Sequence, residues 1–212
     1  MRKYIETYWH ELSAVASAMP YAALERVADA LIACAERGGT IFVIGNGGSA
    51  ATASHFACDL LKGSNSPGLA PLRVIPLTDN VPLITAFGND ISYDAVFAGQ
   101  LAALVRTGDV LVSISASGRS PNVLTATNSA RRAGALTIGL TGEDGGALAR
   151  LCDIAVRIPL QRIEQVEDAH LIAAHSLCVA IRLRRQLPIE DLVVDRPRRA
   201  YQPATPAIAD GE

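Results

Sequence analysis

TIFVIGNGGSAATASHFACDL, residues 40–60, passes from a β-branched apolar run into a glycine-rich turn and then into a helix-patterned stretch. A short run that is apolar at every position reads as a strand covered on both faces. Four more runs share this texture: LRVIPL at 72–77, DVLVSI at 109–114, ALTIGL at 135–140 and DIAVRI at 153–158. Helical patterning fills the intervals at 49–62, 80–88, 92–106, 120–133 and 145–150, and a long stretch at 164–186 follows the last strand. Strands alternating with helices predict an α/β fold, a doubly wound five-stranded parallel sheet of flavodoxin-like type flanked by helices. Two more helices, 3–18 and 21–37, precede the first strand, with Ile5, Trp9, Leu12 and Val15, then Leu24, Val27 and Leu31 at helical spacing and Pro20 between them. They are expected to serve oligomer packing. Residues 1–187 read as one domain, and 188–212, rich in proline and charge, as an extended tail.

With half of its 212 residues apolar, the chain can bury a sizeable core as one domain. Nineteen basic against 21 acidic residues leave a net charge of −2 and no positive field, which argues against nucleic acid or an anionic membrane as partner. A small molecule is expected instead. Cys34, Cys58, Cys152 and Cys178 form no CxxC pair and read as reduced, buried thiols. Charges run through the N-terminal stretch and no segment is long and apolar enough to span a bilayer, so the expected location is cytoplasmic.

In an open parallel sheet, ligands gather at the carboxyl ends of the strands. Two loops there can cradle an anion. The first, Gly45-Asn46-Gly47-Gly48-Ser49, opens a helix with bare backbone amides, suited to a phosphate or a sugar hydroxyl. The second, Ser113 to Ser120 after the third strand, adds the hydroxyls of Ser115, Ser117 and Ser120. Either loop alone is also an ordinary strand-to-helix turn. Gly45, Gly47 and Ala50 match G-x-G-x-x-A, a loose dinucleotide pattern, with Asp79 near the end of the second strand; the serine-rich loop suits a monophosphate better.

His55 and Asp59 stand at i and i+4 on the helix behind the first loop, and Glu167, His170 and His175 lie on the C-terminal helix. Two histidines and two carboxylates can complete a zinc shell of nitrogen and oxygen. The alternative is ordinary helix residues, with His170 a core or interface histidine.

Five ordered motifs, GNGGSAATASHFACDL at 45–60, TAFGNDISYDAVF at 85–97, SISASGRSPNV at 113–123, LTGEDGG at 140–146 and VEDAHLIAAH at 166–175, resemble the sugar-isomerase (SIS) domain family, most closely its phosphoheptose isomerases. The resemblance runs from about Ile5 to about Leu187. It implies a zinc-assisted ketose–aldose isomerase that interconverts sedoheptulose 7-phosphate and D-glycero-D-manno-heptose 7-phosphate through an enediol, the first step of heptose-nucleotide synthesis. It also implies that Asn46, Gly47, Gly48, Ser49, Ser115, Ala116, Ser117, Ser120 and Glu167 contact substrate, with Asn89 and Asp90 lining the pocket. His55, Asp59, Glu167 and His175 would hold zinc, Asp59 and His175 moving protons. A homotetramer with shared active sites is implied too, and the sharing would explain how distant helices converge. Two residues depart from the family pattern, Asp59 where glutamate is usual and Glu167 where glutamine is usual. A carboxylate withdrawn by about 1 Å can cost about a hundredfold in rate. The rival readings are a non-catalytic SIS regulator that binds a protein partner and an isomerase for another sugar phosphate.

Overall fold

A computed structural model describes residues 1–64 and 69–186; the expected tail at 188–212 lies outside the described residues. The elements run α1 (Arg2–Ala14), α2 (Tyr21–Glu36), β1 (Thr40–Gly45), α3 (Gly48–Gly63), β2 (Arg73–Pro76), α4 (Val81–Asp90), α5 (Ala98–Leu104), β3 (Val110–Ile114), α6 (Pro121–Arg132), β4 (Leu136–Thr141), α7 (Leu148–Leu151), β5 (Ile154–Arg157) and α8 (Ile163–Gln186). All four strand pairings are parallel, and the order is β2-β1-β3-β4-β5. From β1 the chain moves outward to β2 and then returns to the far side of β1 as β3. The carboxyl ends of β1 and β3 therefore flank the crevice where the winding reverses.

Alternation along the strands divides the core in two. Ile41, Val43, Val110, Val112, Ile138 and Val156 face α2, α3 and α8, while Phe42, Ile44 and Leu111 face α5, α6 and α7. Burial on both faces is why these strands read as continuous apolar runs. The helix expected at 92–106 is broken. Val96 and Phe97 are consecutive and both buried, and the chain seats them between a 3₁₀ turn at Tyr93–Ala95 and α5. The helix expected at 145–150 starts later, at Leu148, because Gly145 and Gly146 adopt positive φ.

Two cysteines depart from the expected burial, Cys152 being only partly buried. Cys34 and Cys178 are buried, and desolvation pushes their thiols up to about 11 and 12, but Cys58, on α3, is exposed. Helix α1 is pinned to α8 by Tyr8, whose hydroxyl donates to Asp168 at 2.5 Å, and by Gln165, whose amide donates to Glu11 at 2.8 Å. The Asp168 bond is the main reason Tyr8 is pushed up to about 12. Tyr4, Ile5 and Trp9 remain exposed on α1, as do Ile172, Val179 and Leu183 on α8.

Candidate active site

Helix α3 begins at the crevice. Its N-cap is Gly47, at φ 55°, a conformation that favours glycine, and no side chain caps the helix. The carboxylate of Glu167, from α8, lies over Gly48, where an added Cβ would overlap it. A negative group thus sits against the positive end of α3. Across the crevice, α6 begins with Pro121 after Ser120, and the Ser120 hydroxyl makes no cap bond. It faces the Ser115 hydroxyl at 3.4 Å, while the Ser117 hydroxyl accepts from the Arg119 amide at 3.2 Å. The hydroxyls of Ser115, Ser117 and Ser120 therefore gather before the start of α6, at a place suited to an anion.

Asn46, Ser49, Ser115, Ala116, Ser117, Ser120 and Glu167 line one cleft of about 170 Å³, with Ile163 as an apolar wall. A second hollow of about 250 Å³, edged by Arg119, Glu143 and Asp144, adjoins it across Ala116, Ser117 and Ile163. Asn89 and Asp90 are not among the residues lining this cleft. They stand exposed at the end of α4, where the Asn89 amide donates to Asp90 at 2.8 Å. From the same part of the chain Tyr93 reaches inward instead, its hydroxyl donating to Asn46 Oδ1 at 3.2 Å. Asp79 is taken up by Thr78 and Ser54 hydroxyls, leaving it in a local network rather than free for a ribose.

Helices α3 and α8 meet within one chain, so their convergence needs no partner subunit. His55 Nε2 and His175 Nε2 are 3.4 Å apart, and Asp59 Oδ2 is 3.6 Å from the first and 3.5 Å from the second. Donor atoms about 2.0–2.2 Å from a tetrahedral zinc lie roughly 3.3–3.6 Å from one another, and this triangle has those edges. The imidazole rings meet edge to face at 77°, their centroids 4.8 Å apart. Among the described residues this is the only group of three or more such side chains placed to hold a metal ion. Glu167 lies outside it, on the cleft. From Glu167 to His175 is roughly 12 Å along the helix axis. His170, between them in sequence, is fully buried; desolvation lowers it to about 4 against a weaker opposing influence of the Thr141 backbone, and neither ring nitrogen makes a well-formed hydrogen bond.

Sequence reasoning missed Asn122, which is 1% exposed and hydrogen-bonded to Asn46 in both directions. An asparagine one residue past a Ser-Pro helix start reads as a capping residue, and nothing in the spacing ties it to a loop 76 residues earlier.

A parallel five-stranded sheet with two helix starts at its crevice and a histidine–carboxylate cluster nearby is a frame suited to a phosphorylated small molecule. The SIS domain model matches residues 3–142. The phosphoheptose isomerase of Rhodospirillum rubrum is 42% identical over 156 residues, 74% of this chain and 82% of that one. That of Campylobacter jejuni, phosphoheptose isomerase 1, is 37% identical over 84% of this chain and 96% of its own length. The solved phosphoheptose isomerase of Neisseria gonorrhoeae superposes with a TM-score of 0.79 at 33% identity, covering 85% of this chain and 97% of that one. The chain belongs to the SIS domain family and, within it, to the phosphoheptose isomerases.

Proposed function

We propose that the protein interconverts sedoheptulose 7-phosphate and D-glycero-D-manno-heptose 7-phosphate, with the phosphate on Ser115, Ser117 and Ser120 and the sugar chain running past Asn46, Gly47, Gly48 and Ser49. The observation that carries the reading is the pairing of this cleft with the His55, Asp59 and His175 triangle along the same two helices. Glu167 supports the direction of binding. Its carboxylate over Gly48 repels a phosphate from the start of α3, whereas the loop before α6 carries three hydroxyls and no carboxylate among the residues from Ser115 to Ser120.

Zinc would be held by His55, Asp59 and His175, and when bound it supplies a positive charge that stabilises the oxyanion of an enediol. The chain's own groups move the protons. Asp59, turned aside from the metal position, takes the proton from the carbon beside the carbonyl, with Glu167 as the alternative base, and His175 exchanges a proton with the sugar oxygen through the ring nitrogen that would not hold the metal. Glu167 also contacts substrate hydroxyls as an acceptor. We infer a homotetramer with shared sites, because the exposed aromatic and aliphatic side chains on α1 and α8 offer a face for another copy. Asn89 and Asp90, exposed at the end of α4, would line the pocket in that assembly. The domain would extend over 1–187 and work in the cytoplasm; no helix of the described residues is long and apolar enough to cross a membrane.

Incubating the purified protein with a panel of ketose phosphates tests this reading. Aldose phosphate should form from sedoheptulose 7-phosphate in preference to pentulose and hexulose phosphates. Preference for a shorter sugar would overturn the substrate, and turnover of none would overturn the reading.

A further inference from the structure

Asn46 is expected to contact the sugar, yet most of its amide is already committed. Its Nδ2 donates to Asn122 Oδ1 at 2.9 Å, and Asn122 Nδ2 donates back to Asn46 Oδ1 at 2.9 Å. The orientation of the pair is set by the backbone. The Val123 amide also donates to Asn122 Oδ1, at 3.0 Å, so that atom must be the oxygen, and the atoms of Asn46 facing the pair follow from it. Tyr93 then donates its hydroxyl to Asn46 Oδ1 at 3.2 Å.

Each amide oxygen has two acceptor positions and each amide nitrogen two hydrogens. Asn122 Oδ1 is filled by Asn46 and Val123, and Asn46 Oδ1 by Asn122 and Tyr93. One N–H remains on each nitrogen. Asn46 lines the cleft, so what it can still offer there is a donor and no acceptor. Asn122 is buried and, as the second residue of α6, ties the β1–α3 loop to that helix, which fixes that donor relative to the Ser115–Ser120 loop.

We propose that Asn122 is a positioning residue which, with Tyr93, holds Asn46 as a donor-only group aimed at an electron-rich oxygen of the bound sugar phosphate. A freely rotating asparagine would serve a hydroxyl or a carbonyl equally. The clamped one can only donate, so it serves an oxygen that accepts, and its bond strengthens where that oxygen gains charge during reaction. The proposal rests on the reading that the cleft holds the sugar phosphate, and the test separates the two.

The test is a double-mutant cycle of Asn46→Ala and Asn122→Ala on kcat/KM for sedoheptulose 7-phosphate, with inorganic phosphate as a competitive inhibitor. Asn122→Ala should lower kcat/KM about tenfold or more. In the Asn46→Ala background it should cost less than about twofold, since its action passes through Asn46. Inhibition by phosphate should be unchanged throughout, whereas a residue that merely supports the start of α6 would weaken it in parallel. Tyr93→Phe, at an exposed position where folding is not at risk, should lower kcat/KM several-fold and do so only while Asn46 is present. Additive losses, a parent-like Asn122→Ala, or weakened phosphate inhibition would overturn the proposal. A parent enzyme that neither turns over nor binds the sugar phosphate would instead overturn the functional reading on which it stands.

Discussion

Replacing His170 with leucine should make the protein less sensitive to acid. His170 is fully buried on α8, whereas the other three histidines are exposed. Burial lowers it from 6.5 to about 4, opposed only by the nearby Thr141 carbonyl, so it stays neutral in the folded chain near neutral pH. Because the folded value is depressed, the unfolded chain binds more protons between the two values. Stability is intact above about 6.5, drains as pH falls toward about 4, and levels off below that. The interval corresponds to about 3 kcal/mol when fully developed and about 2 kcal/mol by pH 5. Urea unfolding of the parent and of His170→Leu at pH 7.5 and pH 5, at one protein concentration, measures it. The parent should lose about 2 kcal/mol more than the variant over that span. Parallel losses in the two proteins would refute the argument that this imidazole is held neutral by burial.

Changing Ser115 and Ser120 together to alanine should raise KM strongly, because each hydroxyl bonded to a charged phosphate is worth roughly 1.5–3 kcal/mol. Steady-state kinetics checks this, and an unchanged KM would reduce the loop to a turn. Metal analysis of protein never exposed to a chelator or a metal-affinity column should find about one zinc per subunit, lost in His55→Ala. Light scattering at micromolar concentration should give the mass of a tetramer, and Trp9→Glu on the exposed face of α1 should shift it downward.

Much of this is legible in the sequence because the central strands β1, β3 and β4, buried on both faces, stand out as apolar runs, and the edge strands β2 and β5 keep shorter ones. All five were placed within a residue or two, and their alternation with helices implied the doubly wound sheet. Helix limits failed where tertiary packing or glycine overrode the pattern, at Val96-Phe97 and at Gly145-Gly146. The i, i+4 pair of His55 and Asp59 was readable from helix geometry, but its meeting with His175 depends on how α3 packs on α8, which no local pattern encodes. For the same reason Glu167, which both the histidine–carboxylate count and the resemblance put with the metal set, lies instead over Gly48, and no pattern announces the Asn46–Asn122 pair.

The central claim is that proton transfer by Asp59 isomerises a seven-carbon ketose phosphate in this cleft. It is tested most directly by incubating the zinc-loaded protein with sedoheptulose 7-phosphate in deuterium oxide and following label by NMR, alongside Asp59→Asn with its zinc content measured. The account predicts deuterium at carbon 2 of the heptose phosphate and, as the reaction reverses, at carbon 1 of the ketose, with both signals abolished in the metal-retaining variant. Conversion without incorporation of solvent deuterium, or a fully active Asp59→Asn, would contradict it.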